Sequence, residues 1–339
     1  MPIRKGSELD LIRWIRDQEM PSPPSLTRGI GDDCATFDPG FAKSMAMSSD
    51  LLVEEVHFRR SWIHPYFLGR KSLLVNLSDL AAMGAHPYAS LLNLALPPEL
   101  TDDYLQSFMT GFLEEARRWD APLVGGDLSR SSGVHISVTV LGYAEKGDFV
   151  YRSTAQADDL VALVGDVGLS RLGLKILEDE NPEELGEIAS EEDLSSWAAD
   201  SFRLRCLRAH LLPQPQIEVG LWLRQNQLAN AMIDVSDGLA SDLLQVARES
   251  DLTAELDASR IHLPEDMTLD TVLNGGEDYA LLFTSSKEQV ERLARSYPKG
   301  FQPYRLIGRL TRGPSSLNLL RGEERILYEP DGFDHFWSS

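Results

Sequence analysis

The sequence contains several aspartates at positions where folded proteins commonly bind ligands. Each of them follows a glycine turn, ends an apolar strand or interrupts an apolar helix. Strand ends and glycine turns are where α/β folds present ligands, and a carboxylate within an apolar helix, such as Asp79, needs a polar partner. Any one of them alone could be a helix cap, a turn residue or the partner of an arginine. The shared setting therefore points to chemistry, and the residues that share it are Asp33, Asp50, Asp79, Asp127, Asp234 and Asp237.

Convergence of these carboxylates in one partly dry site would force some of them to stay protonated unless a cation joined them. Carboxylates accompanied by serine hydroxyls, with no cysteine cluster, suit a hard cation, and they suit Mg²⁺ before Zn²⁺. Magnesium in proteins is usually held by a few carboxylates together with the phosphates of a substrate. The pattern therefore favours a Mg²⁺-dependent enzyme that acts on a phosphorylated substrate.

A nucleotide site in this chain would have to bind phosphates without the common motifs. The sequence has no Gly-x-x-x-x-Gly-Lys-Ser/Thr loop and lacks the motif set of protein kinases. Gly125 and Gly126 allow a ligand to approach the backbone closely. Ser236, at a helix N-terminus, would offer its hydroxyl and backbone amides to a phosphate. Arg152 could reach a triphosphate from the second half of the chain, although an exposed surface arginine is the simpler interpretation.

Composition and charge exclude several classes of protein. The chain has 339 residues, 42% of them hydrophobic, and a formal net charge of −21, which indicates a folded globular protein rather than a disordered acidic tail. The isoelectric point near 4.7 argues against nucleic acid and anionic membranes as partners. The sequence shows neither an apolar stretch of membrane-spanning length nor the apolar segment of a secretory signal. With only Cys34 and Cys206, we expect a cytoplasmic protein without disulfides or a thiolate zinc site.

Helices and strands mix without strict alternation, which favours two α/β or α+β domains over a barrel. A polar stretch over 144–148 places the domain boundary near residue 150, with one domain over 1–150 and the other over 151–339. Strands are expected to end at Asp50 and Asp234, and an apolar helix over 65–83 carries Asp79. We also expect a helix over 7–18, a turn at 125–127 and a helix over 193–211.

Several motifs, taken together and in order, resemble those of the thiamine-monophosphate kinase family. Each motif alone is weak, but the ordered set spans residues 29 to 336. The motifs of the first half are Gly29-Ile30-Gly31-Asp32-Asp33-Cys34-Ala35, Ser49-Asp50-Leu51-Leu52-Val53 with His57-Phe58, and the run from Asn76 to Ala85. Those that follow are Gly125-Gly126-Asp127, the run from Ile233 to Leu239, Gly275-Gly276-Glu277-Asp278-Tyr279 and Gly332-Phe333-Asp334-His335-Phe336.

The resemblance implies the two-domain fold of the aminoimidazole ribonucleotide synthetase superfamily, an N-terminal α/β domain that forms a homodimer and a C-terminal α+β domain. It also implies transfer of the γ-phosphate of ATP to thiamine monophosphate, the last step of thiamine diphosphate biosynthesis, with ATP and metals between the domains. By motif, several Mg²⁺ ions would be bound by Asp33, Ser48, Ser49, Asp50, Asp79, Asp127, Asp234 and Asp237. ATP would contact Gly126, Asp127, Arg152 and Ser236, and thiamine monophosphate would contact His57, Glu277 and Phe333.

The acceptor phosphate supplies its own nucleophile, because its second pKa of about 6 makes it largely a dianion at neutral pH. No protein base is therefore assigned, and direct in-line transfer is expected. Other members of the superfamily fit less well. Selenophosphate synthetase would need a reactive cysteine before Cys34, the hydrogenase-maturation relative would end in cysteine, and aminoimidazole ribonucleotide synthetase lacks the motifs at 76–85 and 275–279. A non-catalytic acidic metal-binding protein is the alternative from another class.

Overall fold

The computed structural model of the chain describes residues 26–28, 32–38, 42–180, 183–188, 190–198, 200–264 and 267–331. The helix expected over 7–18 and the proposed substrate residue Phe333 lie outside these ranges. The described chain forms two β-sheets, one of six strands and one of seven. The first sheet is built from residues before position 150 and the second from residues after it, and the proposed boundary falls between the two sheets.

The first sheet has the strand order β1-β2-β3-β6-β4-β5, and all its neighbouring strands are antiparallel except β4 and β5. Alternation along β3 and β6 buries every second side chain against two helices, α1 and α2. The elements are β1 (Leu26–Arg28), β2 (Ala35–Phe37), β3 (Lys43–Val53), α1 (Pro65–Ala82), β4 (His86–Leu96), α2 (Asp102–Arg118), β5 (Leu123–Arg130) and β6 (His135–Glu145).

Helix α1 is buried over almost its whole length and lies at the centre of the molecule. His64 caps its N-terminus by accepting a hydrogen bond from the Tyr66 amide, and Pro65 is its first residue. A Cβ atom on Gly69 would lie 2.0 Å from the Phe108 carbonyl oxygen, so only glycine lets α1 approach α2 this closely. The predicted helix over 65–83 is confirmed.

The second sheet has the order β13-β12-β9-β11-β7-β10-β8, antiparallel except where β12 runs beside β9. Its strands are β7 (Leu160–Val164), β8 (Ala231–Val235), β9 (Leu252–Asp257), β10 (Ala280–Ser285), β11 (Tyr304–Arg312), β12 (Ser316–Arg321) and β13 (Glu324–Tyr328). The helices that accompany them are α3 (Leu169–Glu180), α4 (Glu191–Ala198), α5 (Ser201–Leu211), α6 (Ile217–Gln225), α7 (Leu239–Glu249), α8 (Leu269–Asn274) and α9 (Lys287–Ser296).

The two halves pack together through α1, which contacts α6, β8 and β10 of the second half. A Cβ atom on Gly220 would lie 2.1 Å from the Ala81 carbonyl oxygen, so α6 presses directly on the end of α1. Arg224 of α6 strengthens this junction by donating hydrogen bonds to the Gly84 carbonyl and to Asp148. Helix α1 therefore carries Asp79 to the boundary between the two sheets.

Three sequence-based expectations about elements were wrong. Strand β3 does not end at Asp50 but continues to Val53, because its backbone stays paired with β6 as far as His135. Gly125, Gly126 and Asp127 lie within β5 rather than in a turn, because the backbone pairs in register with β4 as far as Arg130. The helix expected over 193–211 is divided into α4 and α5, because Asp200 begins a new helix by accepting a hydrogen bond from the Arg203 amide. Among the described residues, no helix has the length and apolar character that crossing a membrane requires.

Candidate active site

Three of the predicted aspartates meet at the junction of the two sheets. Carboxylate oxygens of Asp33, Asp79 and Asp234 all lie within 4.8 Å of one another. They come from the segment before β2, from the C-terminal part of α1 and from the C-terminal end of β8. We call these three residues the acid cluster. The cluster joins residues that are 201 positions apart in the sequence, from 33 to 234, so only the packing of the two halves creates it.

Ser48 and Asp50 extend the acid cluster along β3. The Ser48 hydroxyl donates a hydrogen bond of 2.5 Å to Asp79 Oδ2. The Asp50 amide donates to Asn76 Oδ1, and the buried Asn76 side chain in turn donates to the Ser72 carbonyl within α1. These bonds fix β3 against α1 and bring both predicted residues to the inner face of the sheet.

The acid cluster holds more negative charge than the protein neutralises. Burial raises the pKa of Asp79 and of Asp234 well above the ordinary value, and the neighbouring carboxylates raise both further. Burial, together with the charge of Asp237, raises the pKa of Asp50 to about 6. Asp237 thus lies close enough to Asp50 to act on it electrostatically. A divalent cation would remove this repulsion.

The donor set fits a hard divalent cation. All three members of the acid cluster offer carboxylate oxygens, and Asp33 Oδ2 is buried with no hydrogen-bond partner among the described residues. A buried carboxylate oxygen without a partner is costly, and a metal ligand is a common reason for one. Oxygen donors without thiolates suit Mg²⁺ better than Zn²⁺.

Arg152 is a buried partner of the acidic segment, so the simpler interpretation of an exposed surface arginine was wrong. Its Nη2 atom lies 2.6 Å from Asp33 Oδ1, and its Nε atom lies 3.5 Å from Asp32 Oδ1. Although burial disfavours the charged form, Asp33 and Asp32 raise the pKa of Arg152 above its ordinary value. Its Nη1 atom donates to Gln245 on α7. Arg152 therefore supplies the positive charge at the edge of the acid cluster.

The backbone amides around Ser236 are already occupied by a side chain. Asp242 Oδ2 accepts hydrogen bonds from the amides of Ser236, Asp237 and Gly238 at 3.1, 3.1 and 3.2 Å. The expectation that these amides face a phosphate was therefore wrong for Ser236, because an internal carboxylate satisfies its N–H. The buried Asp242 instead fixes the loop that carries Asp237, and the Ser236 hydroxyl stays the group proposed for ATP.

Glu277 and His57 are bonded to the ends of β8 and β3, the strands that carry Asp234 and Asp50. The Glu277 amide donates to the Ser236 carbonyl at 2.8 Å, which ties this residue to the end of β8. His57 accepts a hydrogen bond from the Val53 amide on Nδ1, and it lies close enough to Glu277 to act on that carboxyl electrostatically. The two residues proposed for the substrate therefore lie near each other although 220 positions separate them.

Ser49, Gly126 and Asp127 are not joined to the acid cluster by any contact within the described chain. Ser49 follows Ser48 on β3 and so points to the opposite face, where its hydroxyl bonds to the Val138 carbonyl and Thr139 of β6. Gly126 and Asp127 are exposed on β5, the edge strand, and no contact within the described chain joins them to the cluster. Their assignments, and that of Phe333, stay predictions.

Sequence reasoning missed four polar residues that support the site. Asp32 pairs with Arg152, and burial raises its pKa to about 7. Asp242 holds the loop around Asp237, while Lys71 and His210 contact Glu277. Lys71 could have been found by the signal that singled out Asp79, because it is also a charge within an apolar helix. Nothing local in the sequence distinguishes His210 or Asp242.

Comparisons with known proteins agree with this architecture. The family model described as AIR synthase related protein, N-terminal domain, matches residues 31–144. The family model of the corresponding C-terminal domain matches residues 156–317. A thiamine-monophosphate kinase of Synechococcus elongatus is 35% identical, over 90% of this chain and 91% of the relative. One from Escherichia coli K12 is 34% identical, over 97% of this chain and 98% of the relative.

A solved structure, AaThiL complexed with AMPPCP and TMP, superposes with a TM-score of 0.80 at 30% identity and covers 99% of each chain. A thiamine-monophosphate kinase from Stenotrophomonas maltophilia K279a gives a TM-score of 0.71 at 31% identity, covering 93% of this chain and 96% of that one. The expected two-domain fold is confirmed. Because the likeness covers both sheets and the junction that holds the acid cluster, this chain belongs to the thiamine-monophosphate kinase family of AIR synthase related proteins.

Proposed function

We propose that this protein transfers the γ-phosphate of ATP to thiamine monophosphate, giving thiamine diphosphate and ADP, the last step of thiamine diphosphate biosynthesis. The observation that carries the proposal is the acid cluster at the junction of the sheets, with Arg152 beside it. Family membership supports the kinase activity, and the AaThiL structure with AMPPCP and TMP is similar over the whole chain.

Mg²⁺ is the proposed metal, and the chemistry that it supplies is the neutralisation of phosphate charge. Asp33, Asp79 and Asp234 would form the core of its ligand set, because their oxygens are already close together. Ser48, Asp50 and Asp237 lie within reach of the same region, as their contacts and mutual charge effects indicate. Ser49 and Asp127 are proposed on the motif alone.

The substrate roles are proposed from the motifs, and contacts in the structure support some of them. Arg152 and the Ser236 hydroxyl are proposed to contact ATP, together with Gly126 and Asp127. His57, Glu277 and Phe333 are proposed to contact thiamine monophosphate. Glu277 suits this role because the thiazolium ring of thiamine is a cation and a carboxylate attracts it. In-line transfer between two phosphates requires the two substrates to bind on either side of the metal, and Arg152 beside Asp33 is the member of the ATP group that supports this arrangement.

No side chain is proposed as general base, because the acceptor phosphate is itself a dianion near neutral pH, with a second pKa of about 6. The residues of the site instead orient two anions and reduce their repulsion. Direct transfer means that the protein never carries the phosphoryl group. Protein labelled after incubation with γ-³²P-ATP alone would contradict this part of the proposal.

The experiment that tests the function is a measurement of ADP formation with Mg-ATP and one acceptor at a time. We expect turnover with thiamine monophosphate, little with free thiamine, and none with selenide or an aminoimidazole precursor. Product analysis should give thiamine diphosphate in equal amount to ADP. The absence of turnover with thiamine monophosphate would overturn the proposal, and binding of Mg²⁺ without any turnover would favour the non-catalytic alternative.

We propose further that the protein is a cytoplasmic homodimer. The outer face of the first sheet exposes the apolar side chains of Met47 and Leu51 on β3, and Leu51 is 54% exposed. Apolar side chains gathered on one sheet face mark an interface. Leu51→Glu should convert the dimer into a monomer, measured by light scattering after size-exclusion chromatography, and a wild-type protein that is monomeric would contradict this proposal. Both thiols, Cys34 and Cys206, are free.

A further inference from the structure

Lys71 is a buried cation for which the metal site gives no explanation. It lies on α1 with an exposed fraction of 1%, and its Nζ atom is 3.4 Å from Glu277 Oε2. This carboxylate is the one partner recorded for the ammonium group within the described chain. Removing an ammonium group from water costs several kcal/mol, which a single pair offsets incompletely. The burial of Lys71 therefore needs an explanation, and its contact with Glu277 is the place to look for one.

His210 completes the contacts of the same carboxylate oxygen. Its Nδ1 atom lies 3.2 Å from Glu277 Oε2 and 3.2 Å from the Ser170 hydroxyl. Burial, reinforced by the charge of Lys71, lowers the pKa of His210 to about 3, so its ring is neutral near pH 7. Lys71 is thus the formal cation in direct contact with Glu277. Burial would raise the pKa of Glu277, but the charge of Lys71 holds it below the ordinary value.

The backbone of Glu277 is held in an uncommon conformation. Its φ is 60° and that of Tyr279 is 49°, which costs a non-glycine residue about 1 kcal/mol or more. Two hydrogen bonds of 2.8 Å, from the Glu277 amide to the Ser236 carbonyl and from the Tyr279 amide to the Val235 carbonyl, maintain it. The Glu277 side chain is 28% exposed, and its second oxygen, Oε1, has no recorded partner in the described chain. One oxygen is fixed, and the other is left for a ligand.

We propose that Lys71 is a positioning residue: together with His210 it anchors Oε2 of Glu277 and thereby presents Oε1 to the cationic ring of the acceptor substrate. This inference rests on the proposed function. Lys71 acts across the boundary between the two halves, from α1 to the loop before β10. It therefore governs affinity for thiamine monophosphate, while the affinity for ATP depends on Arg152 and the acid cluster.

Steady-state kinetics of Lys71→Met test this inference. We expect the KM for thiamine monophosphate to rise by about tenfold or more, because Glu277 loses its anchor, and the KM for ATP to change by less than about twofold. Lys71→Arg keeps the charge and should restore most of the affinity. An unchanged KM for thiamine monophosphate, or an equal rise in both KM values, would overturn the inference.

Arg70→Met is the matched control. Arg70 is the neighbouring residue on α1 and also forms a buried pair, with Glu115 at 2.8 Å and Glu191 at 2.9 Å, but it points away from Glu277. Its loss should lower the melting temperature and leave both KM values of the folded protein unchanged. If the Lys71→Met variant fails to fold, the Lys71→Gln variant replaces it in the kinetic test. Glutamine keeps a hydrogen-bond donor at this position but not the positive charge. For this variant we expect a rise of about threefold or more in the acceptor KM, and an unchanged value would overturn the inference.

The wild-type assay separates the two proposals. If wild-type protein fails to phosphorylate thiamine monophosphate, the proposed function is wrong. If the wild-type protein is active and Lys71→Met binds the acceptor normally, only the role of Lys71 is wrong. Calorimetric titration of thiamine monophosphate into each variant, in the presence of AMPPCP and Mg²⁺, gives the affinity without turnover.

Discussion

The acid cluster and the Arg224 side chain both carry charge in the interior where the two halves meet, yet they differ in how that charge is satisfied. Arg224 donates to the Gly84 carbonyl at 2.6 Å and to Asp148 at 2.5 Å, so its charge is matched within the protein. The acid cluster holds carboxylates in excess, and Asp33 Oδ2 is a buried oxygen without a hydrogen-bond partner.

This difference indicates that the Arg224 contacts stabilise the fold, whereas the acid cluster is built to bind a ligand. A buried charge with a complete set of partners stabilises one arrangement of the chain, and its removal leaves the partner uncompensated. A buried charge in excess destabilises the free protein and awaits a ligand that carries the opposite sign. Substitutions in the two regions should therefore have opposite effects on stability and activity.

The largest effect is expected at the acid cluster. Asp79→Asn and, beside the cluster, Asp237→Asn should each lower kcat by about a hundredfold or more, because each removes charge from the proposed metal site. The melting temperature of the metal-free protein should stay the same or rise, since a repulsive carboxylate is lost. Steady-state ADP formation and thermal unfolding measure the two outcomes. Near-normal turnover in both variants would contradict the assignment of the site.

Arg224→Met should reverse this pattern. Loss of the guanidinium leaves the buried Gly84 carbonyl without its donor, while the half-exposed Asp148 is compensated by water, so we expect the free energy of unfolding to fall by about 1–3 kcal/mol. The turnover number of the folded protein should change by less than about twofold, because Arg224 contacts none of the proposed site residues. Urea unfolding and kinetics at low temperature provide the measurements. A hundredfold loss of kcat with an unchanged free energy of unfolding would contradict the structural role assigned to Arg224.

The smallest expected effect is the dependence of stability on pH, and it concerns the carboxylates in and around the acid cluster. Burial raises the pKa of Asp50 to about 6 and that of Asp32 to about 7, both above their ordinary value of 3.8. The folded protein therefore keeps protons that the unfolded chain releases, so its metal-free stability falls as the pH rises from about 4 towards 7. Mg²⁺ binds the ionised carboxylates and should raise the melting temperature more at about pH 7.5 than at about pH 5.5. Scanning fluorimetry with and without Mg²⁺ tests this, and a Mg²⁺ effect that is equal at both pH values would contradict it.

Much of the site could be predicted from the sequence because its residues have strong local signals. Asp79 interrupts an apolar helix, Asp234 lies on a buried strand, and Ser48 and Asp50 share one face of a strand. The two-domain fold followed from the order of the motifs and is confirmed. The turn expected at Gly125 and Gly126 was wrong, because register with the neighbouring strand β4 extends β5 through both glycines.

The sequence by itself determined the donor chemistry: carboxylates and hydroxyls without thiolates, which suit Mg²⁺ and phosphate, at positions set by local periodicity and capping. Only the tertiary structure decided which of these groups meet. Ser49 is turned outward by strand alternation, Asp242 occupies the amides near Ser236, and Lys71 meets a glutamate 206 residues later in the chain. The physical reason is that local propensity acts over a few residues, whereas the contacts of a buried charge depend on how distant elements pack.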